Sequence, residues 1–194
     1  MPTDKDEYAQ VEKSVTAKIN SGGNLNIVIA PSMTCNYRCE YCFEAERTHT
    51  HEVMSHETID QTVKFIVESY QNCKNKGKIN IKWFGGEPLL QIKTIEYISK
   101  QLDVHKIPVY GWMFSNGRLL TKENVSILEK CHIEGPIVIA IDGLAKTNAK
   151  LKGCTEDSLE IVLSNIAYAQ DKLPIYQKPH NADDRVSSDS QQMG

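Results

Sequence analysis

Residues 25–42, Leu-Asn-Ile-Val-Ile-Ala-Pro-Ser-Met-Thr-Cys-Asn-Tyr-Arg-Cys-Glu-Tyr-Cys, join an apolar run to three closely spaced cysteines. The run from Leu25 to Ala30 predicts a buried β-strand, and Pro31 ends it because proline lacks the N–H that a sheet ladder needs. Cys35, Cys39 and Cys42 then follow with the spacing Cys-x3-Cys-x2-Cys. The segment therefore predicts a strand that delivers three thiols to the loop at its end.

The same order of strand and then helix recurs along the chain. Further strands are predicted over residues 78–84, 108–114 and 136–141, and helices from near Ser55, over residues 92–102, after Thr121 and over residues 157–169. Ser55 is a typical helix N-cap, and apolar residues after it recur at helical spacing. Apolar strands that alternate with helices indicate an α/β fold with a parallel sheet and right-handed crossovers.

Polar and glycine-rich motifs follow the other predicted strands. They are Gly85-Gly86-Glu87-Pro88, Ser115-Asn116-Gly117 and Ile141-Asp142-Gly143. Ligand sites of parallel α/β folds lie at the carboxyl ends of the strands. The sequence therefore predicts that all the motifs, with the cysteines, meet at one edge of the sheet.

Three thiols in one loop restrict the kind of metal site. A structural zinc site normally has four ligands, and no fourth Cys or His follows at a pairing distance. Three thiolates suit a 4Fe–4S cluster in which the fourth iron is left open to bind a small molecule. A zinc site and three buried thiols remain the alternatives.

The cysteine segment resembles the cluster loop of the radical S-adenosylmethionine (SAM) enzymes, Cys-x3-Cys-x-aromatic-Cys, with Tyr41 in the aromatic position. The three later motifs follow in family order, so the chain is similar to the branch that modifies peptides and proteins, the sulfatase-maturase, thioether-maturase and SPASM-like relatives. The resemblance covers about residues 25 to 170. It implies a partial (β/α) barrel with a 4Fe–4S cluster and SAM as cofactors.

The resemblance also implies roles for single residues. Cys35, Cys39 and Cys42 would bind the cluster. Gly85, Gly86 and Glu87 would receive the amino group of SAM, and Ser115 and Asn116 would hydrogen-bond its ribose or carboxylate. Asp142 would shape the substrate side, although a purely structural cap is an alternative. Tyr41 belongs to the same expected cofactor-binding set.

The implied reaction is the reductive cleavage of SAM to a 5′-deoxyadenosyl radical, which would modify a peptide or protein. An electron donor of the flavodoxin or ferredoxin type would be a second partner.

Three positions depart from the family pattern: Ala140 replaces a serine that contacts SAM, Leu144 replaces a proline, and Lys152 replaces an arginine that holds the SAM carboxylate. Lysine keeps the charge but loses the planar two-pronged geometry of arginine.

Composition narrows the class of protein. The chain has 194 residues and a formal net charge of −3, which gives no electrostatic reason to expect nucleic acid or an anionic membrane as a partner. No apolar stretch is long enough to span a bilayer, and the N-terminus lacks the apolar core of a signal peptide.

Cys73, Cys131 and Cys154 are scattered, so reduced thiols and a cytoplasmic location are expected. His49, His51 and His56 are interpreted as solvated loop residues.

The expected organisation is a polar segment over residues 1–24, a partial core over residues 25–176 and a disordered tail over residues 177–194. Four of the usual six β/α units are predicted, with the start of a fifth strand at residues 173–176, so we expect a truncated form of a longer protein. Whether such a chain is an enzyme stays open. A non-catalytic domain that binds a cluster or a peptide and a structural zinc domain are the alternatives.

Overall fold

The computed structural model describes residues 25–44, 53–73 and 76–179, which form a parallel sheet with helices. Five strands belong to this part of the chain, and their order in the sheet is their order in the sequence. They are β1 (Asn26–Ile29), β2 (Ile79–Trp83), β3 (Val109–Ser115), β4 (Ile133–Ile141) and β5 (Ile175–Pro179). Every neighbouring pair is parallel, as the alternation of strands and helices predicts.

Helices connect the strands of the described residues. They are α1 (His56–Asn72), α2 (Ile92–Val104), α3 (Lys122–Leu128), α4 (Ala145–Lys152) and α5 (Asp157–Ala169), with a short 3-10 helix at Pro88–Gln91. The predicted cap of α1 is confirmed, because Ser55 Oγ accepts the N–H of Thr58 at 3.1 Å. Thr121 caps α3 in the same way, accepting the N–H of Asn124 at 3.3 Å. Hydroxyl caps satisfy backbone donors that the first helical turn leaves unpaired.

The core lies between one face of the sheet and the helices. In β2, Ile79, Ile81 and Trp83 are at most 1% exposed, whereas Asn80 and Lys82 between them are only half-buried. This alternation follows from the two-residue period of a strand, which sends neighbouring side chains to opposite faces. Apolar side chains of α1, α2, α3 and α5 complete the same core cluster. The alternate side chains of each strand lie on the opposite face of the sheet.

The predicted fold class is confirmed, with differences at particular elements. Strand β4 begins at Ile133 rather than Pro136, and its pairing with β3 shifts register between Gly111 and Met113. Proline has no N–H for the ladder, so an irregular stretch accommodates it. Helix α4 was not predicted, and His56 begins α1 instead of lying in a loop.

The predicted ends of the chain fall mainly outside the described residues. Residues 1–24 and 180–194, as well as His49 and His51, belong to this group. Strand β5 runs to Pro179, so the boundary expected after Tyr176 falls inside a strand. Among the described helices, none is both long and apolar enough to cross a membrane.

Candidate cofactor-binding site

The three cysteines of the predicted cluster site lie on one loop, residues 35–42, which we call the cysteine loop. A backbone hydrogen bond of 3.1 Å from Cys42 N to Cys39 O closes its second half. In the first half, Tyr37 N lies 3.4 Å from Cys35 Sγ. The Arg38 guanidinium donates to the carbonyls of Cys35 (2.8 Å) and Tyr37 (2.9 Å), so this side chain holds the turn together.

Backbone hydrogen bonds hold the cysteine loop against the C-terminal end of α4. Arg38 N donates to Lys152 O and Glu40 N donates to Leu151 O, both at 2.9 Å. These carbonyls belong to the last helical turn, which has no partners within its own helix. Gly153 ends α4 at φ +57°, and a Cβ there would lie 2.6 Å from Arg38 O. Glycine at this position therefore lets the loop and the helix end touch.

The thiols are partly buried and close enough to influence one another. Burial raises the pKa of both Cys35 and Cys39, and the nearby Lys152 ammonium opposes this rise in the pKa of Cys39. The pKa of each of these two thiols is also raised by the charges of the neighbouring cysteines of the loop. All six cysteines, which lie among the described residues, carry free thiols.

The donor set of the cysteine loop fits an iron–sulfur cluster. Across the described residues, no three His, Cys, Asp or Glu side chains are already gathered as a metal site. Thiolates are the ligands of 4Fe–4S clusters, and the loop offers three of them from one short segment. Because burial favours the protonated thiols, cluster binding would release protons. Hydrogen bonds therefore organise the backbone of the loop, and a cluster held there would have to draw its three sulfur atoms together.

Gly85 and Gly86 bring the loop after β2 against the loop after β1. A Cβ at Gly85 would lie 2.3 Å from Ser32 O, and a Cβ at Gly86 would lie 2.3 Å from Thr34 O. Gly85 also has φ +112°, which disfavours other residues. Hydrogen bonds run from Gly86 N to Ser32 O (3.2 Å) and from Glu87 N to Thr34 O (2.9 Å). The close approach that the glycines allow is thus to the chain's own backbone.

Glu87 joins the ends of β2 and β3. Its carboxylate is only 1% exposed and accepts hydrogen bonds from Ser115 Oγ (2.9 Å), Asn116 N (2.8 Å) and Leu89 N (3.1 Å). Burial raises the pKa of Glu87, and these three donors oppose the rise in the pKa. The carboxylate therefore fixes the position of the Ser-Asn-Gly motif relative to the Gly-Gly-Glu motif.

Asn116 connects β3 to the cysteine loop. Its amide Nδ2 donates to Asn36 Oδ1 at 2.7 Å and lies 4.0 Å from Cys35 Sγ. Asn165 on α5 supports the following turn, donating to the carbonyls of Gly117 (3.1 Å) and Arg118 (2.9 Å). Asn165 therefore supports the turn at Asn116-Gly117, and the side chain of Asn116 reaches the predicted ligand Cys35.

Asp142, at the end of β4, lies in a buried ion pair. Lys152 Nζ is 3.2 Å from Asp142 Oδ2, with side-chain exposures of 6% and 0%. Tyr41 donates its hydroxyl hydrogen to the same Oδ2, and Lys152 Nζ lies 3.3 Å from that hydroxyl oxygen. Asp142 N donates to Asn148 Oδ1 at 3.1 Å, while Asp142 Oδ1 is buried without a hydrogen-bond partner among the described residues. Burial, followed by the bond to Asp142, raises the pKa of Tyr41.

The structure brings all four motifs into contact at one edge of the sheet, as the strand order predicts. Hydrogen bonds connect Glu87 to Asn116, Asn116 to Asn36, and Tyr41 to Asp142. Sequence reasoning missed that Lys152 is an ion-pair partner of Asp142 and that Asn148 supports the same strand end. The sequence Ala145–Lys152 is mostly polar and has no apolar residues at helical spacing, so it gave no clear signal for a helix.

Comparisons with known proteins agree with this geometry. Residues 29–177 match the radical SAM superfamily. Radical SAM cyclopropyl synthase TigE of Paramaledivibacter caminithermalis is 26% identical over 185 residues, covering 84% of this chain and 38% of TigE. GTP 3′,8-cyclase of Helicobacter pylori is 28% identical over 140 residues, covering 72% of this chain and 41% of the cyclase. The chain thus spans well under half the length of these two curated relatives.

Solved structures share the fold. Native anSMEcpe with bound AdoMet and the Cp18Cys peptide aligns with TM-score 0.62 and 19% identity, covering 79% of this chain and 42% of that one. SuiB of Streptococcus suis bound to S-adenosylmethionine aligns with TM-score 0.55 and 21% identity, covering 88% of this chain and 38% of SuiB. The parallel sheet, the order of the motifs and the family match over residues 29–177 place this chain in the radical SAM superfamily.

Proposed function

We propose that Cys35, Cys39 and Cys42 bind a 4Fe–4S cluster and that the adjoining strand ends bind SAM. The observation that carries this proposal is the docking of the cysteine loop on α4, which holds three free thiols beside the other motifs. Membership of the radical SAM superfamily supports the same cofactors. The edge would present Gly85–Glu87 and Ser115–Asn116 to bound SAM.

The chain's own residues would position these groups and exclude water. Once bound and given one electron by a donor, the cluster and SAM would supply the reductive cleavage of a carbon–sulfur bond of SAM, and this chemistry would belong to the cofactors. Glu87 would hold the turn at Asn116 in place, as its hydrogen bonds do in the structure. Tyr41 and Lys152 would hold the second half of the cysteine loop against the end of β4. Lys152 would then act through Asp142, instead of reaching for the SAM carboxylate as the family arginine is expected to do.

We propose a peptide or protein as the substrate. Support comes from anSMEcpe, whose solved structure contains a peptide together with AdoMet. The relative named GTP 3′,8-cyclase supports a nucleotide as the competing substrate class. The proposal includes an electron donor of the flavodoxin or ferredoxin type and a reducing, cytoplasmic setting, where partly buried thiols stay available for iron.

Anaerobic reconstitution tests the cofactor proposal. The protein is treated with iron and sulfide, and bound iron, electron paramagnetic resonance and release of 5′-deoxyadenosine from SAM are measured. We expect about four iron atoms per chain and 5′-deoxyadenosine release after reduction. Alanine at Cys35, Cys39 or Cys42 should abolish both the binding of iron and the release of 5′-deoxyadenosine.

Cys154→Ser is the matched control, because Cys154 follows Gly153, which touches the cysteine loop. It should keep its iron if the three predicted ligands suffice. A cluster without 5′-deoxyadenosine release would favour a non-catalytic cluster-binding or peptide-binding domain. Zinc without iron would favour a structural zinc domain and would overturn the proposal.

A further inference from the structure

The sheet face that points away from the helices carries a lysine among aromatic rings. Lys82 of β2 alternates with the core residues Ile81 and Trp83, so its side chain lies on the opposite face. On this face its Nζ lies 4.5 Å from the ring centroid of Phe84, 4.9 Å from Phe114 and 5.2 Å from Trp112. We call Lys82 and these three rings the lysine–aromatic cluster. Distances of this size are those of cation–π contacts.

The aromatic surface reaches the candidate cofactor site. Phe43, the residue after Cys42, stacks on Phe84 with ring centroids 6.0 Å apart, although it is 82% exposed. In the other direction the pairing of strands places Phe114 beside Val138, and Val138 beside Tyr176. Tyr176 is 55% exposed. An exposed apolar surface therefore runs from the cysteine loop across the sheet.

Lys82 has no carboxylate partner in the part of the chain that the structure describes, where no ion pair includes it. Near the ends of the strands two charged pairs are already formed, Lys78 with Glu134 and Asp142 with Lys152. Lys82 is half-buried and its ammonium lies beside three rings. Rings take the place of some water around the charge, so an incoming anion gains more there than at a fully solvated lysine. The cluster thus combines one unpaired positive charge with apolar surroundings.

We propose that this face binds a peptide segment in which one acidic side chain lies between apolar neighbours, with its carboxylate on Lys82. The inference deepens the proposed function, since it rests on a peptide being the substrate. Charge complementarity selects the carboxylate, and the aromatic surface on either side of Lys82 accepts the apolar neighbours. Phe43 would place the bound segment beside the cysteine loop.

Tryptophan fluorescence can report this binding directly. Trp112 lies in the lysine–aromatic cluster, whereas the other tryptophan, Trp83, is 1% exposed in the core. The reconstituted protein is titrated with two peptide pools, acetyl-X-Asp-X-amide and acetyl-X-Asn-X-amide, where X is a mixture of Leu, Val and Phe. Both ends are blocked, so the Asp side chain supplies the only carboxylate. A change in the fluorescence of Trp112 gives the dissociation constant of each pool.

We expect the Asp pool to bind about fivefold or more tightly than the Asn pool, as for a partly desolvated ion pair. Lys82→Met keeps a long apolar side chain and should remove this preference, and Lys82→Arg should restore it. Lys93→Met is the matched control, because Lys93 is an exposed lysine on α2 that pairs with Glu96. It should keep the preference of the wild type.

Equal binding of the two pools, binding of neither, or an Asp preference that survives Lys82→Met would each overturn the proposal. The function itself is checked separately by 5′-deoxyadenosine release from the wild type without peptide. If that release fails while the Asp preference holds, the proposed reaction is wrong and the binding face stands. If release occurs without any Asp preference, the proposed binding face is wrong and the proposed reaction stands.

Discussion

The hydroxyl of Tyr41 donates a hydrogen bond to Oδ2 of Asp142, a residue 101 positions further along the chain. This bond joins the second half of the cysteine loop to the end of β4. Lys152 contacts both partners, so three side chains from three separate segments hold one another in place. The aromatic position of the cysteine motif therefore has a structural task besides any contact with a cofactor.

Tyr41→Phe should loosen the cysteine loop while the ring is kept. The change removes the donor to a buried carboxylate, and a lost bond of this kind costs about 1–3 kcal/mol. Hydrogen–deuterium exchange should become faster at residues 38–42, and the reconstituted protein should retain less iron. Tyr97→Phe is the matched control, because Tyr97 donates to Asp60 at 2.8 Å on the protein surface. Unchanged exchange at residues 38–42 in Tyr41→Phe would contradict the structural task.

Lys152→Met should be strongly destabilising. It leaves the carboxylate of Asp142 buried without its cation, and breaking a buried pair from one side costs about 3–5 kcal/mol. Asp142→Asn in the same chain removes that charge, so the double variant should recover part of the loss. The free energy of unfolding from urea denaturation of all four proteins gives the coupling. Additive effects of the two changes would show that the pair does not interact.

Gly86→Ala should separate the loops after β1 and β2. Its Cβ would meet Thr34 O at 2.3 Å and Met33 O at 2.5 Å, and backbone atoms cannot swing aside. We expect a loss of more than about 2 kcal/mol and weaker iron retention. Gly143→Ala is the control, since it has φ +119° but only ordinary contact at 3.5 Å, so it tests backbone strain alone. If both variants lose equal stability and retain equal iron, the close approach at Gly86 is not the cause.

The stability of the cluster-free protein should depend on pH through Glu87. Burial raises the pKa of this carboxyl above its ordinary value of 4.5, so folding favours the protonated form. The contribution of Glu87 is then fully present below pH 4.5 and is lost as the pH rises through the raised pKa. The wild type should therefore gain stability relative to Glu87→Gln on acidification, by at most about 1.4 kcal/mol per pH unit. Urea unfolding from about pH 8 down to about pH 5 measures this difference, and a constant or falling difference would contradict it.

The strands and most helices followed from the sequence because their signals are local. Ser55 and Thr121 cap helices through residues three positions away, and apolar periods mark the buried faces. The shared edge of the motifs also followed, since parallel strands end on the same side. Helix α4 did not, because it buries Asn148 and Lys152 instead of an apolar stripe. These polar residues are buried for partners that only the tertiary fold brings near.

The roles of single residues were harder to predict for the same reason. Two glycines and a glutamate at a strand end predict a ligand contact, and the structure adds contacts within the chain that this motif alone did not predict. Glu87 meets Ser115 28 positions along the chain, and Lys152 meets Tyr41 at a separation of 111. No spacing rule encodes such pairs.

The backbone hydrogen bonds from Arg38 and Glu40 to the carbonyls of Lys152 and Leu151 set a minimum length for any fragment meant to bind the proposed cluster. A peptide cut after Cys42, or even after Gly143, would keep every cysteine of the motif and lose the helix end that supports them. Minimal iron-binding fragments of this protein should therefore extend through Gly153, more than 100 residues beyond the last predicted ligand.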